Sequence, residues 1–210
     1  MARSFEIPAR PKPVQADPAE AIRHELHNED WISRIEALSK LKDVVLKAKV
    51  LTSKGVHCII AGLNDSDPRV SMHTLSVITK VVPAVTNSPD LSPLLPNITG
   101  LLNSVNTLLR NNAKDVCRLL VTHSDQAKFV PNLVEGLQRP KDRAWLFLFT
   151  LLIESVASIK PPLIHKYVVP FAKTLAAKQV TGTAKKFIDR LDEVVDDLPG
   201  IMGELWGNCN

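Results

Sequence analysis

The sequence predicts an all-α fold, an α-solenoid of about five stacked helical hairpins, and three observations carry that prediction. Apolar residues recur at spacings of three and four through most of the chain, the period of a helix with one buried face. Short polar turns interrupt these stripes near positions 29, 66, 111, 140 and 180, about 38 residues apart, which is a helical-repeat period. Signals for strands are missing, since neither Asn-Gly turns nor period-two alternation occur. Composition agrees: the 45% hydrophobic content is mostly Leu, Val, Ile and Ala, with 5% aromatics and eight Gly. Many of the fifteen prolines stand where helices begin, as in Asp17-Pro18, Ser92-Pro93 and Pro161-Pro162. At the first helical position a proline removes no needed hydrogen bond.

Residues 1–16 are basic and proline-rich without periodicity and read as an extended arm. Asp17-Pro18-Ala19-Glu20 is a helix start, and Ile22 and Leu26 carry that helix to about His27. The turn Asn28-Glu29-Asp30 leads into a helix from Trp31, with Ile35, Leu38, Leu41, Val45 and Leu46 on one face. Ser53 to Leu63 opens the second hairpin, and the turn Asn64 to Pro68 precedes Val70, Leu75, Ile78, Val81 and Val82. Leu91 to Leu109 forms a broad apolar stripe, after which Arg110-Asn111-Asn112 reads as the third turn before Val116, Leu119 and Leu120. Phe129 to Leu137, the turn Gln138 to Lys141 and the run from Trp145 to Val156 make the fourth hairpin, with Trp145 read as core. Pro162 to Ala177 and Ala184 to Val195, about the turn Lys178 to Gly182, make the fifth. A short helix is expected from Pro199 to Trp206, so residues 17–206 form one domain and 207–210 a tail.

Charge divides the chain into three. Met1 to Asp43 holds seven Lys/Arg and eight Asp/Glu, Val44 to Lys186 holds eighteen and eight, and the remainder holds one and six. A strongly basic middle between acidic ends points to an acidic partner. Cys58, Cys117 and Cys209 are widely spaced and odd in number, which fits free thiols in a reduced compartment. No run approaches the eighteen or so apolar residues of a membrane span, and the first residues lack the apolar block of a secretory signal. His24 and His27 stand three apart on a helix, but no Cys or carboxylate set completes a metal site. Neither a nucleophile motif, a phosphate loop nor a dinucleotide fingerprint is present, so no enzyme activity, cofactor or metal is expected.

Asp67-Pro68-Arg69-Val70, at the start of a second helix, resembles the pattern of HEAT repeats. Asp30-Trp31-Ile32-Ser33-Arg34-Ile35-Glu36-Ala37-Leu38-Ser39-Lys40-Leu41 resembles the opening hairpin of TOG domains, the tubulin-binding HEAT arrays of microtubule polymerases, CLASP proteins and ciliary relatives. The resemblance runs from about Asp17 to Asp197 and implies a paddle that holds tubulin along the edge made by its intra-repeat turns. Carried to this chain, that edge would be Trp31 and Arg34 in the first turn and Asn64 and Arg69 in the second. Arg110 and Lys114, then Arg139, Lys141 and Arg143, then Lys178, Lys185 and Lys186 match in location and charge only. With five repeats and a stub where TOG domains have six, and with a single copy, the chain is unlike a processive polymerase. A static component of a microtubule or an axoneme is the expectation that follows, placing it in the cytoplasm, the cytoskeleton or a cilium. Two alternatives stay open: a generic HEAT scaffold that binds an acidic protein segment, and an RNA-binding helical repeat. Scarce aromatics, with the Phe residues of the helical part in apolar stripes, weigh against RNA.

Overall fold

The computed structural model describes residues 18–86, 89–138, 143–177 and 183–192. Eleven α-helical segments occupy them, in the order α1 (Pro18–Glu25), α2 (Trp31–Ala48), α3 (Ser53–Leu63), α4 (Pro68–Val81), α5 (Leu94–Leu102), α6 (Thr107–His123), α7 (Gln126–Leu137), α8 (Arg143–Ser155), α9 (Pro161–Leu163), α10 (Val169–Ala177) and α11 (Thr183–Asp192). No β-strand occurs among the described residues. The expected arm, the Pro199 to Trp206 helix and the tail lie outside them.

Successive helices pair as hairpins and the hairpins stack in two layers. First helices α1, α3, α5 and α7 pack in series, and second helices α2, α4, α6 and α8 pack alongside them. The core is continuous between the layers. Leu38, Ile59, Leu75, Ile78, Leu94, Ile98, Val116 and Leu120 are buried, each drawn from the apolar stripe of its helix. Such a stack makes every hairpin depend on its neighbours rather than on one central core.

Polar residues before α2, α4 and α6 set their turns. The Asp30 carboxylate accepts hydrogen bonds from the Ile32 and Ser33 amides, which pulls its pKa below the ordinary carboxylate value. The Asp67 side chain accepts from Arg69 N–H with Pro68 at the first helical position, and Asn106 accepts from the Leu108 and Leu109 amides. Thr52 caps α3 and Asp125 caps α7 in the same way. At the far end of α2, Lys49 closes the helix in the left-handed conformation (φ 54°).

Two expected boundaries move. The third turn is not Arg110-Asn111-Asn112, which lies inside α6, but the segment from Asn103 to Asn106. The apolar stripe runs across the break because Leu102 and Leu109 are both buried, so periodicity cannot locate it; the Asn106 cap does. Val105, counted in the stripe, is 89% exposed on the turn. The helix expected from Pro162 is also divided, α9 and α10 being joined by a π-helical turn, Ile164–Val168. Pro170 lacks the N–H that would bond to Lys166, and its ring would meet that carbonyl in a regular α-helix, so a wider turn relieves both.

Two helical glycines illustrate how closely the layers approach. A methyl at Gly62 in α3 would meet Thr74 Oγ1 and lie 3.2 Å from both Leu38 methyls. Thr74 is fully buried with its hydroxyl bonded to the Val70 carbonyl, so rotating it away would break that bond in the interior. Gly100 in α5 has nothing within 4 Å of that position. Gly100→Ala is therefore expected to stabilise by about 0.5–1 kcal/mol. Gly62→Ala is expected to destabilise by about 1 kcal/mol, overpacking exceeding the gain in helix propensity. Thermal melts of the two variants should move in opposite directions.

Candidate edge of intra-repeat turns

The turns before α2, α4 and α6 lie in series because those helices pack in series. At the first two, three candidate residues come together, Trp31, Arg34 and Arg69. Arg34 is one turn into α2 and reaches back: its Nη1 donates to the carbonyls of Asn28 and Glu29, both at 2.8 Å. Its Nε and Nη2 donate to the two carboxylate oxygens of Asp65 in the next turn, at 2.7 and 2.9 Å. The pair is largely shielded, with 11% and 10% of the two side chains exposed. Asp65 in turn accepts from Asp67 N–H at 2.8 Å. One guanidinium thus closes its own turn and ties it to the following one.

Arg69 completes the pattern. Its guanidinium carbon lies 3.7 Å from the centre of the Trp31 ring, while Nε and Nη2 are held by Asp67. The Arg69 side chain is the first cause of the depressed Asp67 pKa, about 2. A depressed carboxylate pKa means the pairing is intact above about pH 4 and fades as pH falls through 2. Trp31 is half-buried, packed on the core by one part of its surface and lying under Arg69 by another. Asn64, exposed at the end of α3, donates from its amide to Asn97 on α5 at 2.7 Å. Locally the first two turns are net acidic: Asp65 and Asp67 answer Arg34 and Arg69, and Glu29 and Asp30 add two further carboxylates.

The third turn repeats the first in part. Arg110 stands four residues after its cap, as Arg34 does, and its Nη1 donates to Ser104 O at 2.6 Å and Val105 O at 3.0 Å. Nη2 reaches Thr107 Oγ1 at 3.1 Å. Lys114, one turn further along α6, lies 5.7 Å from the centre of the Phe147 ring, and Arg118 lies 5.4 Å from it. Arg118 also pairs with Asp115 and more distantly with Glu154. Among the other candidates, Lys186 is exposed on α11. Arg143 and Lys185 lie on the first turns of α8 and α11 with side chains outside the description, and Arg139, Lys141 and Lys178 fall outside the described residues.

Sequence reading passed over the residues that complete these arrangements. Asp65, which is not among the candidates, is the bidentate partner of Arg34. Leu108, within the apolar stripe from Leu91 to Leu109, is 61% exposed, and Leu146 is 56% exposed. A usable signal was present: Leu108 is two residues past the Asn106 cap, where Ile32 and Arg69 are also exposed. Trp145 is half-buried, stacks on Phe149 at 5.0 Å and donates from its indole to Leu137 O. Among the described residues, no three or more His, Cys, Asp or Glu side chains are grouped to hold a metal, and no helix is long and apolar enough to cross a membrane. Cys117 is sealed in the core, which pushes its thiol up to about 12.

No protein-family model matches the chain. The Condensin-2 complex subunit hcp-6 of Caenorhabditis elegans is 30% identical over 116 residues, 54% of this chain and 6% of that protein. The chain therefore spans a small part of the length of the curated relative it matches. Among solved structures, the crystal structure of Cex1p has a TM-score of 0.52 at 16% identity, over 88% of this chain and 36% of that one. The crystal structure of an engineered protein reaches 0.44 at 16% identity, over 85% of this chain and 79% of that one, too distant to bear on the fold. Two stacked layers of hairpins with these likenesses identify an α-solenoid of HEAT-like type.

Proposed function

We propose that this chain is a non-enzymatic protein-binding scaffold, that its partner docks along the edge of intra-repeat turns, and that the partner is tubulin. The observation that carries the reading is the Arg69–Trp31 stack, which joins the first two turns into one aromatic and cationic platform. A partly covered Trp beside an Arg is the kind of group that dominates interface energies. Packing on the core and the N-cap network below it hold the platform ready, so little ordering is needed on binding. Exposed Ile32, Val105 and Leu108 extend the edge with apolar surface. Tubulin enters through the resemblance of Asp30 to Leu41 to the first TOG hairpin, and its acidity suits the basic middle of the chain. The net-acidic first two turns leave shape and the Trp31 contact to supply affinity, with Arg110, Lys114 and the later basic candidates steering the approach.

The test is retention of the full chain by purified tubulin dimers and by microtubules across a salt series. Trp31→Ala is expected to weaken retention by more than about tenfold, the loss typical of an interface anchor. Arg69→Ala should weaken it several-fold, since it removes the cation above the ring. Equal retention of wild type and Trp31→Ala would refute the reading, as would binding only to an RNA oligonucleotide run in parallel. A second reading rests on the likeness to the condensin-2 complex subunit: the same array serves as one segment of a multi-subunit assembly. It would be favoured by absence of tubulin retention in wild type.

A further inference from the structure

We infer that the cleft between α6 and α8 is a receptor for a partner's acidic-apolar segment, in which a Glu or Asp side chain stands beside a bulky apolar one. This rests on the protein-binding reading above and assigns a different part of the edge. The cleft has a volume of about 460 Å³ and is lined by Leu102, Arg110, Lys114, Leu146, Phe147 and Thr150. None of the six is acidic, two are cations one helical turn apart, and three supply apolar walls.

The chain contains its own precedent for what fills such a place. Arg34 and Arg110 occupy the same position after their caps and make the same backward bonds, to the carbonyls six and five residues before each. On the first turn the rest of the guanidinium grips Asp65 with two further bonds. No carboxylate lies within ion-pair distance of Arg110 or Lys114 among the described residues. A carboxylate brought by a partner would take at Arg110 the part that Asp65 takes at Arg34, with Lys114 as a second donor. Arg110 is already oriented by its turn, so little side-chain freedom is lost on binding.

The apolar walls select against a bare anion. Leu146 is exposed and Phe147 half-exposed, the latter with Lys114 and Arg118 near its face, so a neighbouring Phe or Leu of the partner would cover surface now in water. A nucleobase would have to stack on the Phe147 face, where Lys114 and Arg118 already stand, and would leave Leu146 uncovered. The chemistry therefore favours a peptide over RNA.

The experiment measures fluorescence anisotropy of a short labelled peptide with a Glu-Glu-Phe-Leu core against the full chain. Thr150→Glu places a carboxylate inside the cleft as an internal competitor, and Thr150→Gln is its uncharged match. Thr150→Glu is expected to weaken peptide binding by more than about tenfold, while Thr150→Gln stays within about twofold. Circular dichroism melts confirm that both variants fold. Gln-Gln-Phe-Leu and Glu-Glu-Ser-Ser counterparts should each bind several-fold more weakly than the parent peptide. Unchanged binding to Thr150→Glu would overturn the proposal, and so would equal competition by a uridine oligonucleotide, which would reveal bare charge attraction. Trp31→Ala should leave peptide binding intact. Tubulin retention by Thr150→Gln, read separately, reports on the wider function whether or not the peptide binds.

Discussion

Arg34→Ala is expected to destabilise the chain by about 3 kcal/mol, well beyond the effect of an ordinary surface arginine. The cause is the state in which it leaves Asp65. That carboxylate, with only 10% of its side chain exposed, would keep the Asp67 amide but lose both guanidinium bonds. A shielded charge without its partner costs far more than the pair gains over solvation. The Asn28 and Glu29 carbonyls would also lose their donor, loosening the turn that carries Trp31. Arg34→Lys should recover little, because a single ammonium cannot serve two carbonyls and a bidentate carboxylate at once. Arg110→Ala is the internal control: it removes the same backward bonds without orphaning a carboxylate and should cost about 1–2 kcal/mol. Denaturant midpoints measured by circular dichroism check both. Equal losses at Arg34 and Arg110 would show that the Asp65 pair adds nothing.

Phe149→Ala is expected to cost about 3–5 kcal/mol and to release the fifth hairpin before the others. Phe149 is fully buried in α8 and is the common member of an aromatic cluster. It stacks on Trp145 at 5.0 Å and meets Phe187 of α11 at 5.1 Å and Phe171 of α10 at 6.2 Å. Truncation would strip one ring from three contacts and leave a cavity that helices on two hairpins must collapse to fill. Because a stacked array depends on nearest neighbours, loss at this junction acts on α10 and α11 more than on α1 to α4. Hydrogen exchange should show amides of α10 and α11 losing protection while those of α4 keep it. Phe147→Ala, on the half-exposed side of the same helix, should cost about 1 kcal/mol with uniform protection.

Much of the fold could be read from residues in order. The stripe Leu38-Leu41-Val45 on α2 and the stripe Leu75-Ile78-Val82 beginning in α4 are buried as periodicity predicts. The Asp67-Pro68 start is the start of α4. Where reading failed, the reason was local. Leucines on both sides of the third turn hid the break, although Asn106 marked it. Pro170 was visible, but its consequence, a π-helical turn, depends on which carbonyl lies below it.

The candidate edge divides in the same way. Residue type and position before each second helix brought Trp31, Arg34, Arg69 and Arg110 to notice. Their tasks were not written there. Arg34 and Arg110 stand at equal distances from their caps, yet one holds a carboxylate of the next turn and the other opens onto a cleft with Lys114. Asp65 lies thirty-one residues from Arg34 in sequence, and nothing local specifies that pairing. Sequence alone determined the helical repeat, because the period of burial is a property of neighbouring residues along one helix. Only the tertiary structure decided which charges are answered within the chain and which face outward, because that depends on the register of one hairpin against the next.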